Sequence, residues 1–239
     1  MSGNVFKDTN GTPLTQRIDR YDIAPTIQWL EVITGLSLID NMLGSTGKKD
    51  TSGDIDLAVD IDKISKQTLI DVLLQNKIDP ADIKKSGDNV HVKTPIRGNP
   101  KNGFVQTDFM FGNPSWQRFS MMGSPAGSPY QGRHRHILLA SIAKEQGMKW
   151  SYKYGLVNRD TNLSISQDPT VIADKLLGSG NALDLESVET IIAKIKNRPD
   201  YDKLVANAVD TLRKENIKLP EQHVTEGSAS WFRNWSNII

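Results

Sequence analysis

Asp54 and Asp56 stand two residues apart in "SGDIDLAVDI", where acidic and apolar residues alternate. Alternation of this kind is the period of a strand. Both carboxylates therefore project from one face, about 7 Å apart along the chain, while Ile55 and Leu57 point into the core. Two carboxylates side by side repel unless a cation sits between them. Oxygen ligands with neither Cys nor His beside them suit Mg²⁺. A third acid, Asp108, lies mid-strand in "VQTDFMF". Val105, Thr107, Phe109 and Phe111 take the core face there, which leaves Asp108 on the polar face with Gln106. If the two strands pair, three carboxylates converge. That is enough for a two-metal site of the kind that clamps attacking and leaving oxygens in phosphoryl transfer.

The turn before the first pair fits the same chemistry. In "GSTGKKDTSG", Gly44 and Ser45 let backbone N–H groups approach a phosphate closely. Lys48 and Lys49 can neutralise triphosphate oxygens. Ser52 offers a hydroxyl and Gly53 a second close backbone approach. An Asp-x-Asp or a Gly-Ser alone is weak, since the first is usually a solvated strand face and the second usually a plain turn. The combination, with a later strand Asp, is far more specific.

The elements that must position these residues follow from the pattern around them. Residues 1 to about 20 are polar and turn-rich, which predicts an extended or poorly ordered arm. "IAPTIQWLEVITGL" carries Ile27, Leu30, Ile33 and Leu36 at helical spacing, with Pro25 suited to a first turn. "SLIDNML" reads as a strand leading into Gly44. Ser65 is a good N-cap for a short amphipathic helix over "KQTLIDVLLQN". "NVHVKTPI" and "FVQTDFMF" read as two strands joined by the hairpin loop "RGNPKNG". The expected class is α/β (α+β): a small mixed sheet with helices on one face over residues 1–120. A smaller subdomain is expected over 121–180. A helical extension is expected over 181–239, with "DLESVETIIAKIKN" and "YDKLVANAVDTLRKEN" as amphipathic helices. Ile191, Ile192 and Ile195 are packing residues in this reading.

Composition narrows the rest. The 239 residues carry a net charge of +1, so any nucleic-acid contact must come from a local basic patch. With no cysteine, disulfides and thiolate metal sites are excluded. The first residues lack an apolar leader and no apolar run could span a bilayer, so a soluble, intracellular protein without a membrane partner is expected. Oligomeric state is not legible.

The stretch "GSTGKKDTSGDIDL" resembles the signature of the DNA polymerase β-like nucleotidyltransferases, and in particular the family X DNA polymerases. These carry Gly-Ser, a basic residue, then Ser-Gly-Asp, an apolar residue and Asp, with a third Asp on a later strand. A second block, "MMGSPAGSPYQGRHRHILLASIAKEQGMKWSYKYGLV", is similar to the family segment after the third Asp. Gly123-Ser124 match its turn, Ala143 to Gly147 its helix end, and Tyr154-Gly155-Leu156 its last element. The resemblance covers roughly Ile39 to Gly178.

It implies a polymerase β-like palm followed by a thumb-like part. Asp54, Asp56 and Asp108 would ligate two Mg²⁺ ions, with Mn²⁺ able to substitute. Asp108 would also help deprotonate an incoming 3′-hydroxyl. Ser45, Lys48, Ser52 and Gly53 would hold the triphosphate of an NTP or dNTP. Gly123 and Ser124 would lie near the sugar, and His136 where the family often has an Asn that touches the base edge. Ser120-Met121 replaces the aromatic pair usual before the turn, and Ala140 stands where an Arg often contacts the template. The resemblance therefore implies neither sugar choice nor template use. The 43 residues before Gly44 leave no room for an N-terminal lyase domain, as in minimal viral members.

"GRHRH" places Arg133 and Arg135 at a helix N-terminus, where the dipole disfavours cations unless an anion is present. A nucleic-acid phosphate would serve, and a solvated basic turn is the equal alternative. Trp150, Tyr152 and Tyr154 read as core cover before base-stacking residues. Trp231, Phe232 and Trp235 are expected to dock onto the body. The expected activity is nucleotidyl transfer to a nucleic-acid 3′ end. The alternatives are a stand-alone transferase acting on a tRNA, protein hydroxyl or small molecule, and an inactive nucleotide-binding or assembly protein of the same fold.

Overall fold

The computed structural model describes residues 5–220, and divides into one compact unit through Met122 and a second from Gly123. Trp231, Phe232 and Trp235 lie outside the described residues. No described helix is long and apolar enough to cross a membrane.

The first unit is an α/β layer. Its elements are β1 (Ile18–Asp19), α1 (Arg20–Thr34), β2 (Thr51–Ser52), β3 (Asp54–Asp60), α2 (Lys66–Gln75), β4 (Ile83–Ser86), β5 (Asn89–Pro95), β6 (Phe104–Gly112) and α3 (Pro114–Ser120). Four strands form one sheet in the order β3-β6-β5-β4, with β3 parallel to β6 and the other pairs antiparallel. Helices α1 and α2 cover one face. Ile23, Ile27 and Leu30 from α1 and Leu69 and Leu73 from α2 pack on Ile55, Leu57, Val90, Val92, Val105 and Phe109. Each such side chain, fully buried, contributes roughly 1.5–3 kcal/mol by the hydrophobic effect. The period-two pattern of β3 and β6 thus aims their apolar residues at the helices and their acids at the opposite face.

Three local expectations are corrected. "SLIDNML" is not a strand: Ile39–Asn41 form a 3₁₀ turn, and Met42 makes a single bridge to Leu57. Glu31 Oε1 accepts from Leu38 N and Ile39 N at 2.6 and 2.9 Å, which curls the chain away from an extended path. Helix α1 begins at Arg20, so Pro25 lies inside it rather than in its first turn. From Val5 onward the N-terminal arm is docked rather than loose. Leu14 N donates to Phe6 O, Gln16 N donates to Phe104 O, and Phe6 is buried.

The second unit contains α4 (Gly132–Glu145), β7 (Met148–Ser151), β8 (Gly155–Asn158), β9 (Ser164–Ser166), α5 (Pro169–Leu177), α6 (Val188–Ile195) and α7 (Tyr201–Arg213). The parts read from sequence as thumb-like and as a helical extension both fall within it. Its three strands form one antiparallel sheet in the order β7-β8-β9. Leu138, Leu139, Ile142, Leu156, Ile172, Leu204 and Leu212 are buried, as are Ile191, Ile192 and Ile195 on the apolar face of α6. Ser141 Oγ locks α4 to α7, donating to Leu204 O at 2.7 Å and accepting from Ala208 N at 3.2 Å.

Candidate metal and phosphate site

The parallel pairing of β3 and β6 sets Asp56 directly beside Asp108, with Asp54 beside Gln106. One carboxylate oxygen from each of Asp54, Asp56 and Asp108 lies within 4.8 Å of the others. This spacing matches donors that share a cation. Burial, then the charges of Asp54 and Asp108, push the Asp56 carboxyl up from 3.8 to about 7. A group this perturbed by like charges marks where positive charge would be stabilised.

The turn is built around Asp56. Leu43 N donates to Asp56 O, and Asp56 N donates to Thr46 Oγ1 at 3.0 Å, so residues 43–46 hold both backbone groups of the central acid. Gly44 has φ +60°, and a Cβ there would stand 3.5 Å from Asp56 Oδ2. Glycine meets the positive φ and keeps the turn against the carboxylate. The far end of the turn is pinned by the β1–β2 pair and by Arg17, which donates to Thr51 Oγ1 and Thr51 O at 3.0 Å each. Ser45, Lys48 and Lys49 are exposed, and Gly53 is half-buried. Neither lysine forms an ion pair among the described residues. Ser52 Oγ is buried with no hydrogen-bond partner there. A buried hydroxyl without a partner costs roughly 1–3 kcal/mol, and a bound anion would remove that cost. The donor set and this orphaned hydroxyl both fit a metal–phosphate ligand.

Sequence reasoning missed three residues here: Thr46, Gln106 in its bonding role, and His91. His91 Nδ1 lies 2.7 Å from Asp108 Oδ1, and Gln106 Nε2 donates to the same oxygen at 2.8 Å. Gln106 Oε1 in turn accepts from Val5 N at 3.0 Å. The alternation of Asn89, His91 and Lys93 in "NVHVKTP" placed His91 on one strand face. Only the β5–β6 register brings it to Asp108.

The remaining candidates belong to the second unit. Gly123 and Ser124 are half-buried in the loop before α4. Arg133 is exposed, but its guanidinium forms two hydrogen bonds to the carboxylate of Glu215. Glu215 is therefore the anion that the cationic start of α4 requires. The expected nucleic-acid contact by Arg135 is corrected. This side chain is fully buried, donates to Leu185 O at 2.6 Å and stacks near the Trp150 ring. Burial lowers its pKa to about 10, with Glu186 opposing the shift. His136 Nδ1 accepts from Trp150 Nε1 at 2.9 Å, and burial followed by Arg135 lowers its pKa to about 4, so it is neutral at pH 7. Trp150 covers the unit's interior as expected, but Tyr152 and Tyr154 do not: they are 39% and 51% exposed.

A cavity of about 510 Å³ also opens in the first unit, lined in part by Asp60, Lys63, Asn113 and Arg118. It lies at the other end of β3, separated from the acids by Ala58, which packs with Leu43, Met110 and Met121. The three acids of the cluster converge, whereas at this cavity Lys63 and Arg118 are exposed and Asp60 pairs with Lys63 at 3.7 Å. No protein-family model and no curated protein matches this chain.

Proposed function

We propose that this chain is a nucleotidyltransferase that moves a nucleoside monophosphate from an NTP or dNTP to a hydroxyl, with a nucleic-acid 3′ end as the favoured acceptor. The supporting observation is the convergence of Asp54, Asp56 and Asp108 within 4.8 Å beside a Gly-Ser turn. The acceptor oxygen forms a bond to the α-phosphorus, the bond to the bridging oxygen breaks, and pyrophosphate leaves. Two Mg²⁺ ions, or Mn²⁺, held by the three acids would supply charge neutralisation to both oxygens of that displacement. The backbone N–H groups at Gly44, Ser45 and Gly53, the Ser52 hydroxyl, and Lys48 and Lys49 bind the phosphate oxygens. The Asp108 carboxylate receives the proton of the attacking hydroxyl.

A second reading keeps the chemistry and changes the acceptor to a tRNA, a protein hydroxyl or a small molecule. It is favoured by the engagement of Arg133 with Glu215 and of Arg135 with Leu185, which withdraws both arginines from a nucleic-acid role. One experiment tests both readings. Each labelled NTP and dNTP is incubated with Mg²⁺ and DNA, RNA or protein acceptors, using wild type and Asp56→Asn. Extension of a nucleic-acid end that is lost in the variant supports the first reading. Label on another acceptor supports the second. No transfer to any acceptor removes both.

A further inference from the structure

We infer that His91 is a positioning residue for Asp108, fixing the third carboxylate in the orientation that the metal and the attacking hydroxyl require; this rests on the nucleotidyl-transfer reading above. The polar face of the sheet carries one continuous row. Lys84 on β4 is in register with His91 on β5, His91 with Asp108 on β6, and Asp108 with Asp56 on β3. Within this row the imidazole is nearly closed from solvent, with a side chain 9% exposed. A carboxylate oxygen only accepts, so the 2.7 Å contact from Nδ1 to Asp108 Oδ1 assigns the proton to Nδ1.

Gln106 supplies the second half of the hold. It is 2% exposed, and its amide donates to the same Oδ1 at 2.8 Å. The amide cannot be turned over without breaking both its bonds, because Val5 N needs the acceptor that Oε1 provides. Two donors from two directions converge on one oxygen of Asp108. They fix the rotation of the carboxylate and leave Oδ2 outside this pair of bonds. Groups that orient a metal-binding carboxylate in this way commonly change metal affinity about 10- to 100-fold when removed.

The test compares wild type with His91→Phe, which keeps a ring and removes the donor, and His91→Asn, which keeps a donor at similar reach. Mn²⁺ binding to the metal-free full chain is titrated by EPR, and kcat and KM for nucleotide are measured separately. The expected result is about 10- to 100-fold weaker Mn²⁺ binding in His91→Phe. Its kcat falls with KM little changed, and His91→Asn recovers most of both losses. An independent measurement survives a folding failure of His91→Phe: ¹⁵N NMR of the wild-type imidazole is expected to show the Nδ1–H tautomer. An Nε2–H tautomer overturns the inference. If wild type binds Mn²⁺ and transfers nucleotide and His91→Phe matches it in both, the inference falls and the nucleotidyl-transfer reading stands. If wild type does neither, that reading falls and the inference with it.

Discussion

Asp56 is where charge, burial and backbone geometry meet. Its N–H and C=O are held by Thr46 and Leu43, and its carboxyl is pushed up to about 7 by burial and by the acids on either side. Holding such a group in place costs stability when no cation is bound. Asp56→Asn is therefore expected to raise the unfolding free energy of the metal-free protein at neutral pH, read from urea denaturation, by on the order of 1–3 kcal/mol. If the three acids hold Mg²⁺ as proposed, Mg²⁺ is expected to raise the Tm of wild type and to leave that of the same variant unchanged. A less stable metal-free variant, or one that keeps the Mg²⁺ response, would contradict this account. At this scale much was legible in the sequence. Residue type and period two were enough to set Asp54, Asp56 and Asp108 on polar strand faces. Thr46 and His91 were not legible, because each acts through a partner that only folding brings near. Thr46 reaches the backbone of a residue ten positions on, and His91 reaches across a strand pair.

Helix α4 shows how an element can satisfy a local rule in an unforeseen way. Its cationic start called for an anion, and Glu215, just beyond α7, supplies it through Arg133. The next turns bury Arg135 and His136 against Leu185 and Trp150. His136 has a folded pKa of about 4 against 6.5 for the free side chain. The unfolded chain thus binds the proton first on acidification. The stability this group supports is complete above pH 6.5 and is lost as pH falls through about 4, with a slope of at most about 1.4 kcal/mol per pH unit. Urea midpoints at pH 7.5 and pH 5 should differ in that direction, and His136→Gln should reduce the difference. It should not abolish it, because burial and then Arg133 lower the pKa of the neighbouring His134 as well. An equal pH dependence in His136→Gln would show that His136 contributes none of it.

The whole chain separates into two compact units at Met122 and Gly123. The stretch that follows has no helix or strand up to Gly132, and Pro125, Ala126 and Gly127 are exposed. Exposed small-residue segments between packed cores are cut first by proteases. Brief treatment with proteinase K should therefore nick near Ala126–Gly127 before it enters either core, as read by mass spectrometry. A first cut inside β6 or α4 would contradict the division. By itself, the sequence determined the α/β class, the helix capped at Ser65, and which face of each acidic strand is polar. Those properties follow from propensity and periodicity, which act over a few residues. The tertiary structure alone decided that β6 lies parallel to β3 in the register that joins Asp56 to Asp108, that His91 and Gln106 grip the third acid, and that Arg135 is interior. The physical reason is that strand register and burial are set by contacts between residues far apart in the chain, and no short window of sequence contains both partners.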